Sequence, residues 1–240
     1  MKNYTLEAVL SESNSEKIED VFNYCLIRYK EVSPKEGKYK EAWGQRLRLR
    51  KEIDDVIYRN HQTSDIIKHF WTKDQSTPIW ALFEIMTLGN FGLFFSCMTT
   101  RAQGLIFSDL NMPNNYSSDC LTKIIFALKD LRNAVAHNGV VFDTRFRTGK
   151  ISQNIGNLMK NEMRISTPID FGTITDYAVL VLYLMCSLRC SKTECRQFLN
   201  AYSDILSKYD KALGRDICTK IFGTSSKKKL GEALQYVKGI

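Results

Sequence analysis

Apolar residues recur every three or four positions along most of the 240-residue chain, which is the period of an amphipathic α-helix. In the first third, Ser13 and Glu16 match a capping box in front of such a stripe and predict a helix start. The same period predicts a helix from about residue 40 to 59 and a short one after Ser64. Alternating apolar and polar positions, which are typical of a half-buried strand, are nearly absent.

The middle of the chain contains signals for helix starts and breaks. Thr77 and Pro78 predict a start, because proline is favoured at the first helical position. The run from Gly89 to Gly92 is expected to break or bend that helix, which then continues to about Met98. Residues 109–118 are mostly polar and are expected to form a loop.

A further helix is predicted from about Ser118 to Asn138-Gly139, a pair that is typical of helix ends. The segment 140–171 is the least regular part of the chain, with room for a short extended piece. Two more apolar stripes follow, over 174–185 and 195–209. The predicted core stripe of the helix before Asn138 consists of Leu121, Ile124, Ile125, Leu128, Leu131 and Val135.

These patterns predict an all-α fold, a helical bundle without a sheet. Neither a repeat nor a long linker divides the sequence, so we expect a single domain over residues 1–240. Within it, residues 1–75 form basic, variable N-terminal helices, and residues 76–240 form the core with its C-terminal helices.

The net charge of +8 is concentrated in one stretch. Between residues 28 and 51, nine Lys or Arg residues stand against three Glu, with Tyr39 and Trp43 among them. Such a surface attracts polyanions, of which nucleic acid is the commonest, although a solvated helix face has a similar composition. The lysine run 227–229 is interpreted as a solvated surface. The expected contacts to a polyanion in the basic stretch are Lys38, Lys40, Arg46, Arg48, Arg50 and Lys51.

Seven cysteines, an odd number, lie in apolar helical patterns and indicate reduced, buried thiols in a cytoplasmic protein. The spacing of Cys186, Cys190 and Cys195 is not that of a zinc site, so we predict no metal and no cofactor. The N-terminal residues lack the apolar core of a signal peptide. The most apolar run, 177–186, is too short to span a bilayer, and no membrane partner is expected.

The best candidate for chemistry is the pair Arg132 and His137, five positions apart at the predicted end of the Ser118 helix. Histidine transfers protons near neutral pH, and the helix dipole favours a cationic imidazole at this end. The planar guanidinium of arginine pairs with phosphate oxygens. Together they suit metal-free RNA cleavage, in which the 2′-hydroxyl attacks the neighbouring phosphate. The plainer alternative is a helix-capping histidine beside a solvated arginine.

The segment from Arg132 to Phe146, RNAVAHNGVVFDTRF, resembles the signature of HEPN-domain proteins, and the block from Pro78 to Gly92 resembles bacterial abortive-infection proteins of the AbiD/AbiF kind. Together the two blocks cover roughly Thr77 to Phe146. The resemblance implies a HEPN-like helical bundle with additional N- and C-terminal helices, in a bacterial protein that acts in phage defence or as a toxin. Many HEPN proteins are ribonucleases, and type VI CRISPR effectors carry related HEPN pairs.

The resemblance also implies partners and supporting residues. Because active HEPN sites combine two Arg–His motifs and this chain has one, it implies a homodimer with Arg132 and His137 from both copies. Abortive-infection proteins have been linked to small structured RNAs that restrain them, and the stretch 28–51 is a candidate surface for such an RNA. A non-catalytic RNA-binding module remains the alternative. The supporting residues are Glu84, which would hold Arg132, Asn133, which would orient His137 or bind substrate, Asn138 as a cap, and Arg145 and Arg147 as RNA contacts.

Overall fold

The computed structural model describes residues 1–112, 119–142, 144, 151 and 153–240. In these residues the chain forms thirteen α-helices and a 3₁₀ turn at Arg28–Glu31, with no strand. The predicted all-α class is therefore confirmed. In the same part of the chain, no helix combines the length and the apolarity that crossing a bilayer requires.

The helices are grouped into two compact units, residues 1–126 and 127–240, with the boundary inside the eighth helix. The single domain over 1–240 stays a prediction. The helices of the first unit are α1 (Lys2–Ser13), α2 (Ile18–Tyr24), α3 (Gly37–Asn60), α4 (Asp65–Thr72), α5 (Ile79–Ile85), α6 (Leu88–Cys97), α7 (Thr100–Asp109) and the first part of α8 (Asp119–Ala136). Those of the second unit, after the end of α8, are α9 (Gln153–Glu162), α10 (Ile174–Ser187), α11 (Lys192–Leu213), α12 (Arg215–Phe222) and α13 (Ser226–Gly239).

Aromatic side chains fill the core of the first unit, where α3 lies against α6 and α1 lies against α7. The Phe83 ring meets the Phe94 ring edge to face, with centroids 5.1 Å apart. Gly92 gives α6 a close approach to α8, because a β-carbon there would lie 2.9 Å from the Phe126 ring. The glycine is therefore required by packing within this unit.

The predicted helix start at Ser13 is wrong. Ser13 is the last residue of α1, and its hydroxyl donates to the Val9 carbonyl at 2.8 Å instead of capping a new helix. The capping box of the described chain lies at Ser191 and Glu194, at the start of α11. The pattern Ser-x-x-Glu occurs at both places, and only the backbone conformation decides which serine caps.

The predicted helix break at Gly89 is also misplaced. The backbone leaves the helix at Met86, and Thr87 caps α6 by accepting from the Asn90 N–H at 3.2 Å. Gly89 to Gly92 lie inside α6. Pro78 stands one position earlier than predicted, as the N-cap of α5. The glycines pack within a helix here, so they do not mark its end.

The irregular segment 140–171 contains a helix that the pattern did not predict. Helix α9 spans Gln153–Glu162 and buries Ile155, Leu158 and Met159. Gly156 packs directly on the Ile169 carbonyl oxygen, which an added β-carbon would meet at 2.0 Å. The polar loop predicted over 109–118 falls mainly on residues 113–118, outside the described residues.

The cysteines are free thiols, as predicted. Five are buried, and burial raises the pKa of the Cys97 and Cys120 thiols to about 11. Cys186 and Cys195 place their sulfur atoms 3.8 Å apart. No group of three or more His, Cys, Asp or Glu side chains in the described ranges is arranged to hold a metal ion.

A buried ion pair organises the second unit, and it shows that the interpretation of 227–229 as a solvated run is wrong for Lys229, whereas Lys227 and Lys228 are exposed. The Lys229 ammonium is buried and donates to the Asp176 carboxylate and to the Pro168 carbonyl, the latter at 2.8 Å. The other Asp176 oxygen accepts the backbone N–H of Phe171 at 2.9 Å. Burial raises the pKa of Asp176, and the Lys229 ammonium partly offsets that shift. One pair thus joins α10, α13 and the loop before α10.

We predict that Lys229→Ala lowers the free energy of unfolding by about 3–5 kcal/mol, because it leaves a buried carboxylate without its cation. Urea denaturation of the full chain measures this loss. The matched control is Lys228→Ala, since Lys228 is exposed and lies 3.9 Å from Glu232. The control should change stability by less than about 0.5 kcal/mol. Equal losses for the two variants would contradict the role of the buried pair.

Candidate active site

Helix α8 ends in a complete Schellman motif, which fixes the position of His137. Asn138 adopts the left-handed conformation with φ of 53°. The Asn138 N–H donates to Val135 O at 3.2 Å, and the Gly139 N–H donates to Ala134 O at 2.7 Å. These two bonds satisfy carbonyls that the helix end would otherwise leave open. The predicted stop at Asn138-Gly139 is confirmed, and His137 is the residue between the last helical position and the left-handed one.

The end of α8 is exposed on nearly every side. Arg132 and His137 are both exposed, and five residues of helix separate them by about 7.5 Å along the axis. Val135 was expected in the core stripe, but 61% of its surface is exposed. Leu121, Ile124 and Ile125 are buried as predicted, so the stripe enters the core only in the first half of the helix. The last turn of α8 is therefore open to solvent.

Asn133 connects the two candidate residues. Its side-chain oxygen accepts from Arg132 Nη1 at 3.1 Å, and its backbone oxygen accepts from the His137 N–H at 3.0 Å. The structure therefore places the Asn133 side chain on Arg132, whereas the sequence suggested that it orients His137 or binds substrate. No hydrogen bond joins the His137 ring to any described residue, so the ring can face a ligand.

The chain after the motif is anchored to α11. The Phe142 ring meets the Tyr209 ring edge to face, with centroids 5.4 Å apart. Thr144 is buried, and its hydroxyl faces the Gly172 carbonyl at 3.4 Å. These contacts anchor the backbone shortly after His137, so the exposed end of α8 is followed closely by residues that pack within the second unit.

Glu84 does not have the surroundings that suggested a role for it. Glu84 was expected to hold Arg132, yet it is exposed on α5, and the Arg132 guanidinium donates to Asn133 instead. Its negative charge acts on Lys2, whose ammonium donates to the Phe83 and Met86 carbonyls at 2.8 and 2.6 Å. Burial lowers the pKa of Lys2, and Glu84 opposes that shift.

Two of the six candidate cations of the basic stretch are engaged inside the first unit. Arg46 donates to the Leu26 and Phe22 carbonyls at 3.0 and 3.1 Å, and its guanidinium lies 5.6 Å from the Trp43 ring. Arg50 holds Glu19 through two hydrogen bonds of 2.8 and 2.5 Å, which lower the pKa of Glu19. These arginines fix α2 against α3.

The other four cations, Lys38, Lys40, Arg48 and Lys51, are exposed on α3. Of these, Arg48 lies 3.9 Å from Glu52, whereas the three lysines make no ion pair with any described residue. Arg145 and Arg147 lie outside the described residues. The sequence grouped all six cations together. The structure separates Arg46 and Arg50, which bond within the first unit, from the four cations that face solvent.

Sequence reasoning missed a set of exposed rings in the first unit. Trp71 belongs to the short helix α4, yet most of its surface is exposed, as is that of Tyr58 near the end of α3. In α4 only Ile67 is buried. The spacing of apolar residues on an eight-residue helix does not indicate how deeply each side chain is buried, so the sequence contained no signal for these exposed rings.

Comparison with known proteins places this sequence in a family. The sequence profile of the Abi-like protein family matches residues 6–143, more than half of the chain. The matched region contains Arg132 and His137, and it also extends N-terminal to Thr77, where the two recognised blocks begin. No curated protein and no solved structure matches the chain. The protein belongs to the Abi-like family.

Proposed function

We propose that this protein is a metal-independent HEPN endoribonuclease that acts as a toxin or abortive-infection effector of phage defence in the bacterial cytoplasm. Membership of the Abi-like family supports the role in defence. The observation that carries the proposal is the end of α8, where Arg132 and His137 are exposed and held by a Schellman motif. That arrangement offers a proton-transfer group and a phosphate-binding cation to the same substrate.

The proposed reaction uses the 2′-hydroxyl of RNA as the nucleophile. The imidazole of His137 removes the 2′ proton, and the oxygen attacks the adjacent phosphorus atom. The bond to the 5′ oxygen then breaks, and a protonated imidazole donates a proton to that leaving oxygen. The Arg132 guanidinium stabilises the additional negative charge on the phosphate oxygens. The products are a 2′,3′-cyclic phosphate and a 5′-hydroxyl.

A homodimer would supply both an acid and a base, because each copy contributes one Arg132 and one His137. The exposed apolar residues beside this pair support a protein–protein contact there. Val135 lies in the last turn of α8, and Val140, with 59% of its surface exposed, follows the Schellman motif. The exposed valines beside the two functional groups give a second copy an apolar surface to contact.

A second candidate function is a non-catalytic RNA-binding module, in which Arg132 and His137 only contact phosphates. The exposed Lys38, Lys40 and Lys51 favour RNA binding in either case, because they have no acidic partner among the described residues. A small structured RNA held there could restrain a toxic enzyme.

We predict that His137→Ala and Arg132→Ala each reduce RNA cleavage by about 100-fold or more, because they remove the proton-transfer group and the phosphate cation. The measurement is cleavage of labelled RNA by purified protein in EDTA, with analysis of the fragment ends. Wild-type protein should leave 2′,3′-cyclic phosphates. The matched controls are His69→Ala and Arg196→Ala, which remove an exposed histidine and an exposed arginine from other helices.

Two outcomes would contradict the enzyme. Undiminished cleavage by a clean His137→Ala preparation would exclude His137 as the proton-transfer group. Salt-sensitive RNA binding by the wild-type protein without any turnover would instead favour the binding module.

We predict that Asn138 acts as a cap and not as a substrate contact. Asn138→Gly should keep both stability and cleavage, because glycine adopts the left-handed conformation readily. Asn138→Val should lower the free energy of unfolding by about 1–3 kcal/mol, because a β-branched residue is strained at positive φ. Thermal unfolding and the cleavage assay measure the two effects. Loss of cleavage in a stably folded Asn138→Gly variant would show a direct role for the amide.

We predict that Val135→Asp dissociates the dimer and reduces cleavage at least tenfold, because it places a carboxylate in the proposed apolar contact. Sedimentation velocity measures the dimer, and the EDTA assay measures cleavage. The control is Ile217→Asp, which changes a similarly exposed apolar residue on α12. A Val135→Asp variant that sediments and cleaves like wild type would exclude this surface as the interface.

A further inference from the structure

Three rings form an exposed platform where α3 and α4 meet, which we call the ring platform (Tyr58, His61 and Trp71). Tyr58 and Trp71 are 74% and 65% exposed. The Tyr58 and His61 rings are stacked, with centroids 5.4 Å apart and planes inclined by 22°. The Trp71 ring meets His61 edge to face at 5.8 Å. His61 Nδ1 also bonds to the Tyr58 carbonyl, so the rings are held before any ligand arrives.

Two exposed lysines of α3 lie on the same helix face as Tyr58 of this platform. Lys40, Lys51 and Tyr58 are separated by eleven and seven residues, and helical geometry places them within about 20° on one face of α3. The line from Lys40 to Tyr58 is about 27 Å long, because each residue adds 1.5 Å. Asp54 and Asp55 are exposed between Lys51 and the rings. Because their carboxylates repel phosphate, we expect phosphates to contact the lysines on the N-terminal side of the aspartates and bases to contact the rings on the C-terminal side.

The aromatic residues that the sequence placed among these lysines are not available in the same way. Tyr39 and Trp43 both pack edge to face on Tyr29, with centroids 5.6 and 4.5 Å away. Trp43 also lies beside the Arg46 guanidinium. Their faces are used within the first unit, whereas Tyr58 and Trp71 present most of their surface to solvent.

We propose that the ring platform and the lysines Lys40 and Lys51 form a binding site for single-stranded RNA, in which the rings stack on unpaired bases and the lysines contact the phosphate backbone. Exposed rings can stack on unpaired bases, and cations on the same helix face can contact phosphates of the same strand. A protein helix would instead require an aliphatic groove, whereas the exposed aliphatic residues of α3 and α4 are only Leu47 and Ile66. This inference deepens the proposed function, on which it rests for its RNA.

The test measures binding of a short fluorescein-labelled single-stranded RNA, and of the same RNA annealed to its complement, by fluorescence anisotropy. The full chain carries His137→Ala in every sample, so that the RNA stays intact. We expect Trp71→Ala and Tyr58→Ala to weaken single-strand binding by about five- to a hundredfold each. Duplex binding should change much less, because its bases are already stacked. Trp71→Phe should retain most of the affinity.

Salt dependence separates the rings from the lysines. Lys51→Gln should reduce the slope of log affinity against log salt by about 0.7, because one phosphate contact is lost. Trp71→Ala should lower affinity without changing that slope. The matched controls are Tyr24→Ala and Lys208→Gln, which remove an exposed tyrosine and an exposed lysine elsewhere and should leave binding unchanged.

The outcomes for this site and for the enzyme are distinguishable. Wild-type affinity in both Trp71→Ala and Tyr58→Ala, or no binding of single-stranded RNA at low salt, would overturn the site. Loss of binding in these variants, in a protein whose wild type does not cleave RNA in EDTA, would support the site and overturn the nuclease. Thermal unfolding of each variant checks that the exposed substitutions leave the fold intact.

Discussion

The end of α8 is the constraint on which the candidate site depends. A helix leaves its last carbonyls without intrahelical partners, and here two of them are satisfied by the N–H groups of Asn138 and Gly139. That motif requires a left-handed residue immediately after His137, which Asn138 provides. The backbone of His137 therefore keeps its position relative to Arg132 as long as these cap hydrogen bonds are intact. The geometry of the proposed chemistry is set by backbone hydrogen bonds, and the side chains remain open to a substrate.

The cations of this protein divide by their acceptors into two groups with different roles. Arg46, Arg50 and Lys229 bond to carbonyls or carboxylates within their own units and hold helices together. Lys229 is buried, and its desolvation is compensated because it has defined acceptors, whereas Arg46 and Arg50 stay partly exposed. Lys40 and Lys51 have no such acceptor among the described residues and stay in water, where they can attract phosphate. The net charge of +8 thus overstates the charge that is available to a partner.

The proposed RNA surfaces each remain within one unit. The ring platform and the lysines lie in residues 1–126, and Arg132 and His137 lie in residues 127–240. As proposed, one surface stacks on unpaired bases, and the other acts on a phosphodiester by charge and proton transfer. The two proposed functions therefore depend on different residues, in different units.

The sequence by itself determined the all-helical class, the positions of α3, α8, α10 and α11, and the stop at Asn138-Gly139, because these follow from apolar period and local backbone chemistry. It also contained the residues that place the chain in the Abi-like family. Only the tertiary structure decided which Ser-x-x-Glu sequence caps a helix. It also decided that Gly92 packs against α8 and does not end its helix. It decided, finally, that Val135 and Trp71 are exposed while Lys229 is buried. The physical reason is that burial depends on what packs against a helix, and periodicity describes one helix at a time.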